Sequence, residues 1–189
     1  MKMRILILIA VLSMVVMLSG CAMLGGPSEP EYVVRVNAGA YESYTDESGN
    51  VWLADQDMQQ GAAWGAIGGS TVMRDPQEIA DTQAPQVYLT ERFGMDSYEF
   101  TVPADNKYKV CLHFAETFDG IFAEGERVFE VKINDGEAMQ VDPFKEGGGL
   151  FKPVTKCTSG VEPIDGKITI SFIPDIQNPV VNGIVIMSE

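Results

Sequence analysis

The segment YKVCLHFA, residues 108–115, decides the class of fold. Every second side chain, beginning with Tyr108 and ending with Phe114, is large and apolar. A period of two is typical of a strand with one face against a core. The segment therefore predicts a β-strand, and its other face carries Lys109, Cys111 and His113.

Similar short segments recur along the chain, and no window of a dozen residues shows a period of 3.6. They cover residues 32–37, 51–54, 97–102, 127–133, 167–173 and 182–187. Asn134-Asp135-Gly136 is a hairpin turn pattern. We predict an all-β chain that forms a two-sheet β-sandwich of the jelly-roll type. The stretch from Gln56 to Pro85 is predicted to be one long loop, either functional or disordered.

The first twenty residues have the pattern of an export signal. Lys2 and Arg4 precede an apolar run from Ile5 to Leu18, which matches a basic n-region followed by an h-region. At about 1.5 Å per helical residue the run reaches roughly 21 Å, short of the roughly 30 Å bilayer core. The ending LSGC, residues 18–21, resembles the bacterial lipobox. A plain signal peptide and an anchor helix remain the alternatives.

The lipobox resemblance implies cleavage after residue 20 and acyl chains such as palmitate on Cys21. Several acyl chains hold a protein stably on a bilayer. Residues 21–31, rich in Gly and Pro, are then a flexible tether, and residues 32–189 are the folded domain. The expected location is the cell envelope through this membrane anchor. Ala22, in place of the aspartate associated with inner-membrane retention, favours the outer membrane in an organism that has one.

The acidic net charge of the chain excludes some classes of binding partner. The chain has 27 acidic and 13 basic side chains, which gives a net charge of −14. Such an excess of acid repels phosphate backbones, so nucleic acid is not expected as a partner. Removal of residues 1–20 takes away Lys2 and Arg4 and no acid. The exported part therefore favours a neutral, glucan-like ligand over a phosphate polymer.

The remaining cysteines are expected to pair. If Cys21 carries lipid, Cys111 and Cys157 are left in an oxidising compartment, where a disulfide persists. Two separate buried thiols are the alternative. No metal or cofactor is expected, because two cysteines and one distant histidine lack the spacing of zinc ligands.

Motifs of enzyme chemistry are absent from the sequence: it contains no Gly-x-Ser-x-Gly elbow, Walker loop or His-Glu-x-x-His. His113, in mid-strand, is expected to be structural. Glycoside hydrolysis needs only two carboxylates, and acids near strand ends make it a third, less favoured hypothesis. These acids, which we expect to be solvated, are Glu91, Glu116, Asp119 and Glu124.

Three aromatic residues next to glycine-containing turns are candidates for sugar binding. Trp64, Phe93 and Phe118 could each offer an apolar face to the C–H side of a sugar ring. The alternative for each of them is that it anchors its loop in the core.

Five segments occur in the order seen in malectin domains, and together they resemble that family over roughly residues 32–187. They are VNAG (36–39), YLTERF (88–93), LHFAE (112–116), RVFEVKIN (127–134) and NPVVNGI (178–184). The resemblance implies a galactose-binding-like β-sandwich that binds carbohydrate and has no catalytic activity.

The resemblance also implies a carbohydrate-binding site at Trp64, Phe93, Phe118, Asp119 and Gln177. Two phenol hydroxyls and one carboxylate of the family pattern are replaced here, which implies a different sugar selectivity. Asp55 and Glu91 are secondary candidates. The expected function is that of a glycan-binding lipoprotein of the cell envelope. The alternative is an adaptor that binds an envelope protein.

Overall fold

The computed structural model describes residues 30–189, so the predicted signal peptide, Cys21 and the tether up to residue 29 lie outside the described residues. The described part folds into strands with two short helices. The strands are β1 (Val33–Asn37), β2 (Tyr44–Thr45), β3 (Val51–Ala54), β4 (Trp64–Met73), β5 (Thr90–Thr101), β6 (Tyr108–Phe114), β7 (Val128–Ile133), β8 (Met139–Val141), β9 (Val154–Val161), β10 (Lys167–Ile176), β11 (Val180–Val181) and β12 (Gly183–Ser188). A 3-10 helix spans Pro85–Leu89, and α1 spans Pro143–Gly147.

These strands form two sheets. The first has the order β2-β3-β1-β12-β6-β9, and in it only β1 and β3 run parallel among the described strands. The second has β5 at its centre, with β4 on one side and β10 and β11 on the other, followed by β7 and β8. The prediction of an all-β sandwich is confirmed.

The core lies between the two sheets, where alternate side chains meet as the period of two predicts. Tyr108, Val110, Leu112 and Phe114 are all fully buried there. A second apolar cluster, which includes Trp52, Tyr88 and Cys111, lies outside the main core with the 3-10 helix packed in it. Both faces of β6 are therefore largely covered.

The prediction of one long loop from Gln56 to Pro85 is wrong, because the ten-residue strand β4 lies within it. The glycines that suggested a loop allow close backbone approach instead. A Cβ on Gly65 would lie 2.6 Å from the backbone of Met58, and one on Gly69 would lie 2.8 Å from the carbonyl oxygen of Phe93. Among residues 30–189, β4 pairs with no strand except β5, so it lies at an edge of the second sheet. Half of its residues are exposed, and its sequence therefore lacks the apolar alternation of a core strand.

Cys111 of β6 and Cys157 of β9 face each other in register, and their Sγ atoms are bonded. The bond joins β9, an edge strand of the first sheet, to its neighbour. No helix within residues 30–189 is long and apolar enough to cross a bilayer.

Candidate functional site

A cavity of about 320 Å³ lies at the end of the β4–β5 hairpin, and we call it the cleft. Four segments supply its walls: the ends of β4 and β5, the segment 115–127 between β6 and β7, and the turn between β10 and β11. The lining residues are Val72, Arg74, Glu91, Phe93, Phe118, Arg127, Gln177 and Asn178.

The hairpin places two apolar side chains in the cleft. Val72 pairs with Glu91 and Ser70 pairs with Phe93, so these four side chains share one face of the hairpin. Phe93 is half-buried and also packs against the main core. Phe93 therefore lies between the core and the cleft.

Phe118 is the exposed aromatic of the cleft, with 42% of its surface accessible. Its backbone N–H donates to Oε1 of Glu116 at 3.0 Å. A Cβ at position 120 would overlap the ring of Phe118, so the ring lies over Gly120. One side of the ring therefore packs against the backbone at Gly120, and the rest of it stays accessible.

An ion pair between the partly buried Arg74 and the buried Glu91 lies in the wall of the cleft. Nη2 of Arg74 donates to Oε1 of Glu91 at 2.7 Å, and Glu91 is only 3% exposed. The hydroxyl of Thr117 donates to the other carboxylate oxygen and accepts from Nε of Arg74 at 3.0 Å. The pair therefore ties β4 and β5 to the segment that carries Phe118.

A second buried ion pair joins Glu116 and Arg127. Nε of Arg127 donates to Oε2 of Glu116 at 2.6 Å, and the residue Glu116 has no accessible surface. Arg127 also donates to the backbone carbonyl of Asn178, which links the pair to the turn after β10. In that turn Gln177 has a φ of 64° and is exposed, as is Asn178.

The expectation that Glu91 and Glu116 are solvated acids is wrong. Both are buried, and all four of their carboxylate oxygens accept hydrogen bonds from this chain. Burial of a carboxylate is costly unless it is paired and hydrogen-bonded, and each one here has an arginine. The ionic groups around the cleft therefore balance in charge, with two guanidinium groups and two carboxylates.

The structure does not bring Trp64 to the cleft. Trp64 pairs with Phe100 and Phe93 with Ser70, so the two residues lie seven positions apart along β5. At about 3.3 Å per residue this separation is roughly 23 Å. Trp64 stacks on the buried ring of Phe100 instead, which is the core-anchoring role considered for it.

Asp55 is also separated from the cleft. Its carboxylate accepts from the backbone N–H of Gly39 at 2.7 Å, from Nε of Arg92 at 2.8 Å and from the hydroxyl of Tyr98 at 3.0 Å. Arg92 follows Glu91 in β5 and faces the other side of the hairpin. Burial, together with the nearby charge of Asp55, raises the pKa of Tyr98 well above its usual value.

Of the remaining candidates, Gln177 lines the cleft whereas Asp119 does not. Asp119 is exposed beside Phe118, and Glu124 is also exposed. The structure thus groups Phe93, Phe118, Gln177 and the secondary candidate Glu91.

Sequence reasoning missed Val72, Arg74, Arg127 and Asn178. Arg127 begins the segment RVFEVKIN and Asn178 begins NPVVNGI, so both were visible as parts of motifs. Val72 and Arg74 carried no such pattern, because they lie in the stretch that was predicted to be a loop.

His113 has a structural environment. Its Nδ1 is 2.8 Å from the hydroxyl of Tyr88, and its ring meets the edge of Trp52. Burial lowers the pKa of His113 from 6.5 to about 4. Within residues 30–189 no group of three or more potential metal-ligating acids, cysteines or histidines is present.

The fold and the cleft define a β-sandwich binding domain with an aromatic site at one end. The family model of the Malectin domain matches residues 32–184. The chain therefore belongs to the malectin domain family. Membership of this family indicates carbohydrate binding as the class of function.

Relatives and solved structures agree with this assignment. A kinesin-like protein, KIN-14R of Arabidopsis thaliana, is 30% identical over 118 residues, which are 61% of this chain and 11% of that protein. A putative receptor-like protein kinase of the same plant is 41% identical over 56 residues, 29% of this chain and 6% of the kinase. The chain thus spans only a small part of these relatives.

Among solved structures, β-glucuronidase 2 of Bacteroides uniformis is similar with a TM-score of 0.72 and 28% identity, over 84% of this chain and 18% of the enzyme. The extracellular domain of ANXUR2 from Arabidopsis thaliana has a TM-score of 0.67 and 19% identity, over 82% of this chain and 48% of that domain. The latter likeness shows the shared fold.

Proposed function

We propose that this protein is a non-catalytic carbohydrate-binding protein whose sugar stacks on Phe118 and Phe93 in the cleft. The observation that carries the proposal is an exposed aromatic ring, packed on one side against Gly120, in a cleft whose two arginines are paired with buried carboxylates. A sugar has an apolar C–H face and a polar rim. The rings suit the face, and the exposed amides of Gln177 and Asn178 suit the hydroxyl groups.

The charges around the cleft favour a neutral sugar. The guanidinium groups of Arg74 and Arg127 are each matched by a buried carboxylate, so neither is left to pair with an acidic ligand. The whole chain carries a net charge of −14, which also repels anionic polymers. A glucan-like oligosaccharide is the ligand class that these features support.

The same ion pairs argue against hydrolysis by the cleft. A general acid must hold a proton that it can deliver to the leaving oxygen. The carboxylate oxygens of Glu91 and Glu116 are all occupied as acceptors, by two arginines, the hydroxyl of Thr117 and one backbone N–H. Glucuronidase activity belongs to the larger Bacteroides enzyme, of which this chain matches 18%.

We also propose that the protein is held in the cell envelope by lipid on Cys21. The support is the sequence pattern of residues 1–21. A tether up to residue 31 then separates the membrane from the domain and leaves the cleft accessible to glycans outside.

The test is a glycan screen followed by calorimetric titration of the full chain, purified in a detergent without a sugar headgroup. Phe118→Ala should abolish binding of the best ligand. Phe122→Ala is the matched control, because Phe122 is 73% exposed in the same segment but does not line the cleft. A chain that binds no glycan but co-purifies with one envelope protein would support the adaptor hypothesis instead.

A further inference from the structure

A second exposed aromatic residue, Tyr41, lies on the segment between β1 and β2. It is 76% exposed, yet its hydroxyl is 3.2 Å from Oγ1 of Thr71 in β4. The hydroxyl is thereby tied to a strand while most of the ring remains open. A ring that is fixed before a ligand arrives loses little conformational entropy on binding.

Tyr41 lines two shallow cavities. One, of about 290 Å³, includes Tyr44, Met73 and Arg74, together with the polar side chains of Glu42 and Gln86. The other, of about 250 Å³, includes Thr71 and the paired charged residues Asp57 and Arg92. Apolar surface next to a few polar groups is the composition of a sugar subsite.

Arg74 connects the first of these cavities to the cleft, because it lines both. Val72 faces the cleft, and the next residue, Met73, faces the Tyr41 cavity and is 59% exposed. Within the described residues β4 has no strand on its outer side at this point. The cleft and the Tyr41 cavity therefore share Arg74 as a common wall at the open edge of β4.

We propose that Tyr41 is the platform of a second sugar subsite, so that the ligand is an oligosaccharide chain extending beyond the cleft. This inference rests on the proposed function and deepens it. The first subsite, at Phe118 and Phe93, binds a disaccharide-sized part of the ligand, and Tyr41 stacks on a sugar further along the oligosaccharide. Arg74, which borders both subsites, is paired with Glu91, and the Tyr41 cavity adds the acid Glu42, so Arg74 does not favour an acidic sugar at either subsite.

The test is a chain-length series of neutral gluco-oligosaccharides, from disaccharide to octasaccharide, titrated against the full chain in sugar-free detergent. We expect affinity to rise with length in the unmodified protein. Tyr41→Ala should remove that rise, lowering affinity for the longest members about tenfold, and should leave disaccharide affinity unchanged. Tyr41→Phe, which keeps the ring, should retain most of the rise.

Phe122→Ala controls for the loss of an exposed aromatic, since Phe122 is 73% exposed and lines neither cavity. An equal length dependence in Tyr41→Ala and the unmodified protein overturns the second subsite while glycan binding itself stands. Failure of the unmodified protein to bind any member of the series overturns the proposed function as well. The two failures are thus distinguishable in one experiment.

Discussion

The indole of Trp64 stacks on the ring of Phe100, with 5.8 Å between the ring centroids and 9° between the ring planes. Phe100 is completely buried, whereas Trp64 is half-buried at the start of β4. The stack fixes the end of the β4–β5 hairpin that lies far from the cleft. Trp64 is therefore a residue of the core boundary.

Trp64→Ala should lower the free energy of unfolding without affecting sugar binding. Truncation of a fully buried aromatic costs about 3–5 kcal/mol, so the half-buried indole should contribute about 2 kcal/mol. Urea unfolding measures the loss, and titration below the unfolding transition measures the affinity. A folded Trp64→Ala protein that cannot bind sugar would contradict the placement of the site.

Glu116→Gln should be strongly destabilising because it leaves the buried guanidinium of Arg127 without its counter-charge. Removal of one member of a buried pair typically costs about 3–5 kcal/mol. The double variant Glu116→Gln with Arg127→Met should be more stable than the single one, since no unpaired charge remains. If the two substitutions were simply additive in urea unfolding, the ion pair would not be the source of the loss.

His113 should make stability depend on pH. Burial lowers the pKa of its folded form to about 4 from the ordinary 6.5, so only the unfolded chain binds the proton between these values. Stability is therefore complete above pH 6.5 and falls towards pH 4, by about 3 kcal/mol. Below pH 4 this contribution changes no further.

His113→Gln is the matched control, because the amide can still bond the hydroxyl of Tyr88. Its unfolding free energy, measured at intervals from pH 7 to pH 4, should be flatter than that of the unmodified protein. His113 is the only histidine in the chain. Parallel curves for the two proteins would mean that burial does not suppress protonation of this imidazole.

Loss of the bond between Cys111 and Cys157 should reduce stability and leave sugar affinity intact. The two cysteines are 46 positions apart, and closing such a loop in the unfolded chain corresponds to about 4 kcal/mol. The double variant Cys111→Ser with Cys157→Ser should therefore unfold at lower urea concentration. Binding should persist because the bond joins β6 and β9, which do not line the cleft.

Cys21→Ser should release the protein from membranes, since the proposed acyl chains attach to that sulfur. Fractionation of cells that express each form should place the unmodified chain with the membranes. Retention of both forms in the membrane fraction would instead support the anchor-helix hypothesis for residues 5–18.

The sandwich could be predicted because most of its core strands have one buried face. The alternation from Tyr108 to Phe114 is reproduced as a row of fully buried side chains. The Asp135-Gly136 turn joins β7 and β8 as an antiparallel hairpin. β4 could not be predicted, because an edge strand with three glycines and half of its residues exposed carries no period.

The site was only partly predictable for a related reason. Phe93 and Phe118 stood in motifs and next to glycines, and both line the cleft. Trp64 had the same local features, but its pairing with Phe100 directs it to the core. The partners of Glu91 and Glu116 are Arg74, just after β4, and Arg127, just before β7, and such distant pairings depend on the tertiary fold.

The proposed sugar site depends above all on stacking against Phe118 in the cleft. The most direct measurement is calorimetric titration of the best glucan ligand into the unmodified chain, Phe118→Ala and Trp64→Ala, with all three shown to be folded. Binding should be lost in Phe118→Ala and unchanged in Trp64→Ala. Binding that survives Phe118→Ala, or that disappears in Trp64→Ala, would refute a sugar site on Phe118.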